Sequence, residues 1–309
     1  MNLDPITPSD QGSPASLAVA SVDTNPTTVS IKPEEPPIIQ FTTPQALDET
    51  INKVTGDTIY VKRVNATSFR LLEEFRSSRN RKYRFKRYYP ADELLIITVP
   101  TQTHEFMHIN LMQLVTGQII RMRLEEYWQG TAAVTFKSLH GGTKGEGDSG
   151  GGPLNPGDSF KGKWPTIVIE AGYSMSIEAL RQEMRWWFHA SDHQVKIVLL
   201  MKATLLPNRQ LSSLLIEKWK AHRHPGRSGS TTTRSISHLE PQLMQSIIIE
   251  RNLGSTNPNA SESYTVTSGE LRLAFEDLFL RPPRQGERDV VITIRNLQWV
   301  AARIGDLED

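Results

Sequence analysis

The sequence predicts an α/β fold: a mixed sheet flanked by helices, preceded by a disordered arm and followed by a C-terminal β/α extension. Two observations carry this. First, Ile167-Val168-Ile169 is a β-branched apolar run that ends on an acid, Glu170. Second, Ser174 and Ser176 offer N-caps ahead of Ile177, Leu180, Met184, Trp187 and Phe188, which recur at helical spacing, and the apolar run 195–202 follows. Strand, helix and strand over so short a span make a βαβ crossover, which favours a parallel pair with the helix on one sheet face.

Glu170 is the position that calls for chemistry. A carboxylate at the end of an apolar run is costly to bury unless it is paired, hydrogen-bonded or bound to a cation. If the chain doubles back through Pro165, Asp158 reaches the end of the neighbouring strand and meets Glu170. Two carboxylates at the carboxyl end of an open α/β sheet form an oxygen-rich site for a hard divalent ion. The plainer alternative is a strand end from which Glu170 turns to solvent.

Asp158-Ser159-Phe160, then Pro165-Thr166-Ile167-Val168-Ile169-Glu170-Ala171-Gly172, then Leu180-Arg181-Gln182-Glu183-Met184-Arg185-Trp186-Trp187 and the strand from Val195 follow one another in the chain. This order resembles the restriction-endonuclease-like, or PD-(D/E)XK, superfamily. More narrowly it is similar to a group of uncharacterised fungal proteins with a divergent copy of that domain. The similarity spans about residues 90 to 220, includes the strand 94–100 and Thr103-His104-Glu105 after it, and weakens toward the C-terminus. The resemblance implies a metal-dependent nuclease. Asp158 and Glu170 would hold Mg²⁺ or Mn²⁺, and Glu105 would support the metal or its water. In active members a lysine stands two residues after the strand acid, on the same face of the strand. Here that position is Gly172. Arg181 is the best-placed substitute, with Lys163, Lys196 and Lys202 behind it; arginine stabilises phosphate charge but is a poor base. A catalytically dead interaction module is therefore the chief alternative.

A rival motif is His104-Glu105-Phe106-Met107-His108, the H-E-x-x-H pattern of zinc proteases. Pro100 and Thr103 fit a helix start ahead of it. Leu111 stands where the metzincin extension needs glycine, and Glu125 or Glu126 is the nearest offering of a third ligand, so the zinc reading ranks third.

Composition bounds the rest. The chain of 309 residues has no cysteine, which excludes disulfides and thiolate metal sites and favours an intracellular compartment, nucleus or cytoplasm. Its N-terminus has no signal-peptide pattern and no apolar stretch is long enough for a bilayer, so no membrane association is expected. A net charge of +1 makes no general case for nucleic acid, and the oligomeric state is not legible. Residues 1–40, rich in Pro, Ser and Thr, are expected to be a disordered acidic arm, with one α/β domain over 41–309. The segment 62–87 concentrates lysine and arginine against Glu73 and Glu74 alone. There Arg81, Lys82, Arg84, Lys86 and Arg87 interleave with Tyr83, Phe85, Tyr88 and Tyr89. Such a stripe suits phosphate contacts and base stacking; the plainer reading is an amphipathic strand with Tyr83 and Phe85 inward and its cations in solvent, and one strand can do both.

The glycine-rich segment 141–152 reads as a flexible hairpin insertion without the Gly-Lys-Ser/Thr of a P-loop. Its Gly147-Asp148-Ser149-Gly150-Gly151-Gly152 is similar to the nucleophile segment of trypsin-like proteases, but no matching histidine or aspartate segment accompanies it. His222 and His224 fall in a basic, breaker-rich loop. Beyond it, 243–250, 270–275 and 290–294 read as strands and 296–304 as a closing helix, in the extension of about 240–309.

Overall fold

The computed structural model describes residues 35–79, 83–132, 134–223, 239–252 and 254–305. In chain order these form β1 (Ile38–Gln40), α1 (Pro44–Ile51), β2 (Thr58–Lys62), α2 (Ala66–Ser78), β3 (Arg84–Tyr89), β4 (Leu94–Thr98) and α3 (Gln102–Arg121). Next come β5 (Trp128–Thr131), β6 (Thr135–Lys137), β7 (Lys144–Glu146), β8 (Ser149–Pro153), β9 (Ile167–Gly172), α4 (Ile177–Ala190) and β10 (Ile197–Leu205). The C-terminal part is β11 (Leu211–Arg223), β12 (Leu239–Arg251), β13 (Tyr264–Val266), β14 (Leu271–Leu273), α5 (Phe275–Phe279), β15 (Val290–Ile292) and α6 (Ile294–Arg303).

The fold is α/β, with two mixed sheets and six helices among the described residues. The larger sheet has the order β13-β12-β11-β10-β9-β8-β5 and the smaller β1-β2-β4-β3-β7-β6, while β14 and β15 pair separately. The expected crossover is present: β9 and β10 are parallel, with Glu170 opposite Leu200, and α4 connects them. Ser176 caps α4 by accepting from the Ala179 amide, and Thr101 caps α3 through the His104 amide.

Strand alternation sorts β9 onto two faces. Ile167, Ile169 and Ala171 join the core shared by α3, α6 and the strands β10 to β12. Val168 packs on the other face against Leu180, Met184 and Trp187 of α4. Glu170, two residues on, faces α4 as well, and Trp187 Nε1 donates to its Oε1. A third core under the smaller sheet gathers Ile59, Val61, Phe69, Leu72, Phe85, Tyr88, Leu95 and Ile97.

Several expectations are corrected. The glycine-rich segment is not a hairpin insertion: β7 belongs to the smaller sheet and β8 to the larger, the two do not pair, and the chain changes sheets at Glu146-Gly147-Asp148 within the buried stretch 145–152. Glycine is required there for close approach, since a Cβ at Gly145 would lie 1.7 Å from Arg87 Nη1 and one at Gly151 2.5 Å from the Trp128 ring. Of the expected arm, 1–34 lie outside the described residues, whereas Ile38–Gln40 form a strand parallel to β2. Phe275 begins a short helix, not the end of a strand. His224 lies outside the described residues. No described helix is long and apolar enough to cross a membrane.

Candidate functional site

The sheet change brings Asp148 to the start of β8, next to β9, and there it meets a lysine from the smaller sheet. Lys86 Nζ, on β3, is 3.3 Å from Asp148 Oδ2 and also pairs closely with Glu170 Oε2. Arg87 Nη2 reaches Glu170 Oε1 at 3.4 Å, while Arg87 Nε pairs with Glu183 of α4 at 2.6 Å. Asp148 Oδ2 also accepts from the Ala171 amide at 2.8 Å, so β9 itself orients this carboxylate. Glu170 and Arg87 have no exposed side-chain surface, and Lys86 and Asp148 have 1% each.

A second limb runs through α3. His104 Nδ1 is 3.2 Å from Asp57 Oδ2 and its Nε2 3.1 Å from Asp148 Oδ1. Asp57, just before β2, accepts from the amides of Tyr173 and Ser174 at 2.8 and 3.1 Å. Arg84 of β3 spans Asp148 at 3.3 Å and Glu105 at 2.6 Å. Glu105 and Arg84 keep 23% and 14% exposure, the most open members of the cluster.

The charge states follow from these contacts. Burial acts to raise Asp148, but the charges of Lys86 and His104 outweigh it and hold the carboxyl well below its ordinary value. Glu170 goes the other way: burial, with Asp148 beside it, pushes it up despite Lys86. Burial opposes the charge on His104, yet the two aspartates raise it to about 9. Asp57 is likewise burdened by burial, but His104, Ser174 and the Tyr173 amide lower it to about 2. Glu105 falls to about 2 against its burial, held by His108 and Arg84. Burial pushes His108 down.

The site differs from the one read in the sequence. Asp158 does not meet Glu170. It sits in the 154–166 connection, 46% exposed, with Lys163 Nζ at 3.0 Å and Asn155 Nδ2 at 3.3 Å. The connection returns the chain to β9 without placing Asp158 on a strand, and Asp148 takes the neighbouring-strand position. Arg181 does not substitute for the missing lysine either, because its guanidinium forks onto Glu217 of β11 at 2.5 and 3.1 Å. Lys86 occupies the place next to the strand acid. Gly172 lies instead over Asp57 Oδ2, with a Cβ there 3.6 Å away.

Three cations of the basic stripe, Arg84, Lys86 and Arg87, turn inward. A register shift between Arg84 and Arg87, where β3 pairs with β4, sends Phe85 to the core of the smaller sheet and both Lys86 and Arg87 into the acid cluster. Arg81 and Lys82 lie outside the described residues. As for zinc, ligand atoms of His104, Glu105 and His108 lie within 4.8 Å of one another, a spacing that a metal accommodates. His104, however, has a carboxylate facing each ring nitrogen, and as imidazolium it offers a metal no lone pair. The sequence reading passed over Asp148, and it took Lys86 for a cation of the basic stripe where the structure pairs it with Asp148 and Glu170. Asp148 lies between Gly147 and Ser149 in a glycine-rich run that reads as a loop, so no pattern in the sequence marked it.

No family model matches this chain, and no curated protein matches it.

Proposed function

We propose that the chain is a divergent metal-dependent phosphodiesterase of nuclease type, with Asp148 and Glu170 as its acid pair and Lys86 in the role of the lysine absent at 172. One observation carries the reading: a single Lys86 ammonium touches both carboxylates. Their oxygens are hard donors suited to Mg²⁺ or Mn²⁺. Such an ion, when bound, polarises a phosphoryl oxygen and makes hydroxide accessible near neutral pH. Lys86 then neutralises charge gathering on phosphorus, and Arg84 and Glu105 form the side of the cluster nearest solvent.

The observation that favours a second reading, an interaction module without hydrolysis, is the closure of the network: every carboxylate in it already faces a cation of the same chain. Calorimetric titration with Mn²⁺, alongside cleavage assays on labelled DNA and RNA, separates the two. Saturable Mn²⁺ binding that weakens in Asp148→Asn, together with ion-dependent cleavage, supports the nuclease; absence of both leaves the module.

A further inference from the structure

A serine, a histidine and a carboxylate stand in series at the contact of α3 with β8, the first two hydrogen-bonded and the third facing the ring without a hydrogen bond. His108 Nδ1 lies 2.8 Å from Ser149 Oγ, and His108 Nε2 lies 3.4 Å from Glu105 Oε1. With its proton on Nε2, the side that faces the Glu105 carboxylate, His108 leaves Nδ1 to accept from the Ser149 hydroxyl. That is the order of groups in a hydroxyl nucleophile activated by a base that a carboxylate orients.

A groove adjoins the serine. Ser149 and Gly150 line a groove of about 490 Å³ between α3 and β5, together with Ile109, Met112 and Ile120. No charged side chain lines it, so it suits a hydrocarbon chain better than a phosphate. Gly117 and Gly130, which also line it, have open space where a Cβ would stand. Thr131 contributes a hydroxyl close to Gly150, the residue after the serine; a Cβ on that glycine would meet it at 2.6 Å.

We propose that Ser149, His108 and Glu105 form a second reactive site, a metal-independent nucleophile for acyl transfer, whose substrates are carboxylic esters with an apolar acyl chain held in this groove. Ser149 Oγ bonds to the ester carbonyl carbon as its proton passes to His108 Nδ1. The bond to the alcohol oxygen then breaks, and the alcohol leaves with that proton. Water attacks the acyl-serine, giving a proton to Nδ1, and that proton returns to Ser149 Oγ as the carboxylic acid departs. Glu105 holds the imidazole and is a positioning residue.

The test uses the full chain in EDTA, which removes any contribution of the acid pair with a divalent ion. An alkyl fluorophosphonate is added and the adduct is located by peptide mass spectrometry. The expected result is a single adduct on Ser149, absent in Ser149→Ala and formed more than about a hundred-fold more slowly in His108→Gln. Because His108 is buried, Gly117→Phe provides a second arm: it narrows the groove away from the reacting groups and should slow labelling while leaving the melting temperature unchanged. Hydrolysis of p-nitrophenyl octanoate should follow the same pattern. No adduct on Ser149 in the folded wild type, or equal labelling rates in the wild type, His108→Gln and Gly117→Phe, would overturn the proposal. Neither result bears on Mn²⁺-dependent cleavage.

Discussion

Lys86 and Glu170, 84 residues apart in the chain and on different sheets, form an ion pair with almost no solvent-exposed surface. The pair ties β3 of the smaller sheet to β9 of the larger, and Asp148 closes it from the segment that joins the sheets. A buried ion pair owes little net stability to its Coulomb energy, because both charges lose their hydration. Its removal by halves is another matter.

Lys86→Met should therefore destabilise the fold by about 3–5 kcal/mol, since it leaves Asp148 and Glu170 buried beside each other with one cation fewer. Lys86→Met combined with Glu170→Gln should cost less than Lys86→Met alone. Urea denaturation of the three variants and the wild type measures both effects, and equal loss in the single and double variants would deny the coupling.

Stability should peak in mildly acidic solution. Asp57 and Glu105 are depressed to about 2 from 3.8 and 4.5, so their contribution is present above the unfolded values and is lost as pH falls toward 2. His104 is raised from 6.5 to about 9, so its contribution is complete below 6.5 and disappears as pH rises through 9. The melting temperature should plateau between about pH 5 and 6.5 and decline on both sides. Asp57→Asn should lower the plateau and flatten both limbs, because it removes one carboxylate from His104.

Gly145 and Gly172 contrast a glycine in a crowded position with one in an open position. Gly145→Ala forces its Cβ against the buried Arg87 guanidinium, which Glu183 and the Trp186 face, 3.7 Å from Arg87 Cζ, hold in place. We expect a loss of about 1–3 kcal/mol. Gly172→Ala meets only ordinary contacts at 3.6 Å and beyond and should be tolerated. Thermal melts that rank the two variants the other way would show that the Arg87 clamp is not rigid.

Zinc is the sharpest point of difference from the H-E-x-x-H pattern. With His104 held as a cation between Asp57 and Asp148, the purified protein should carry no stoichiometric zinc by elemental analysis. One tightly held zinc per chain, lost in His108→Ala, would reverse that assignment.

What the sequence made legible was local. The β9–α4–β10 crossover announced itself through an apolar β-branched run and a stripe at helical spacing, and α3 began within two residues of its expected start. The need of Glu170 for a partner was also readable, because it follows from desolvation alone. The identity of the partner was not. Lys86 reaches Glu170 across 84 residues through a register shift in β3, and no periodicity in 62–87 encodes which cations turn inward. Asp148 was hidden by its glycines, whose composition reads as a loop although they pack beneath Arg87, Trp128 and Trp187. Asp158 was favoured for its nearness in sequence to β9, and the 154–166 connection carries it to the surface.

Mn²⁺-dependent cleavage of labelled nucleic acid by the wild type, Asp148→Asn, Glu170→Gln and Asp158→Asn tests the central claim most directly. The account predicts cleavage by the wild type, its loss in Asp148→Asn and Glu170→Gln, and wild-type rates in Asp158→Asn. Cleavage that survives Glu170→Gln, or a wild type that cleaves neither DNA nor RNA, would contradict it.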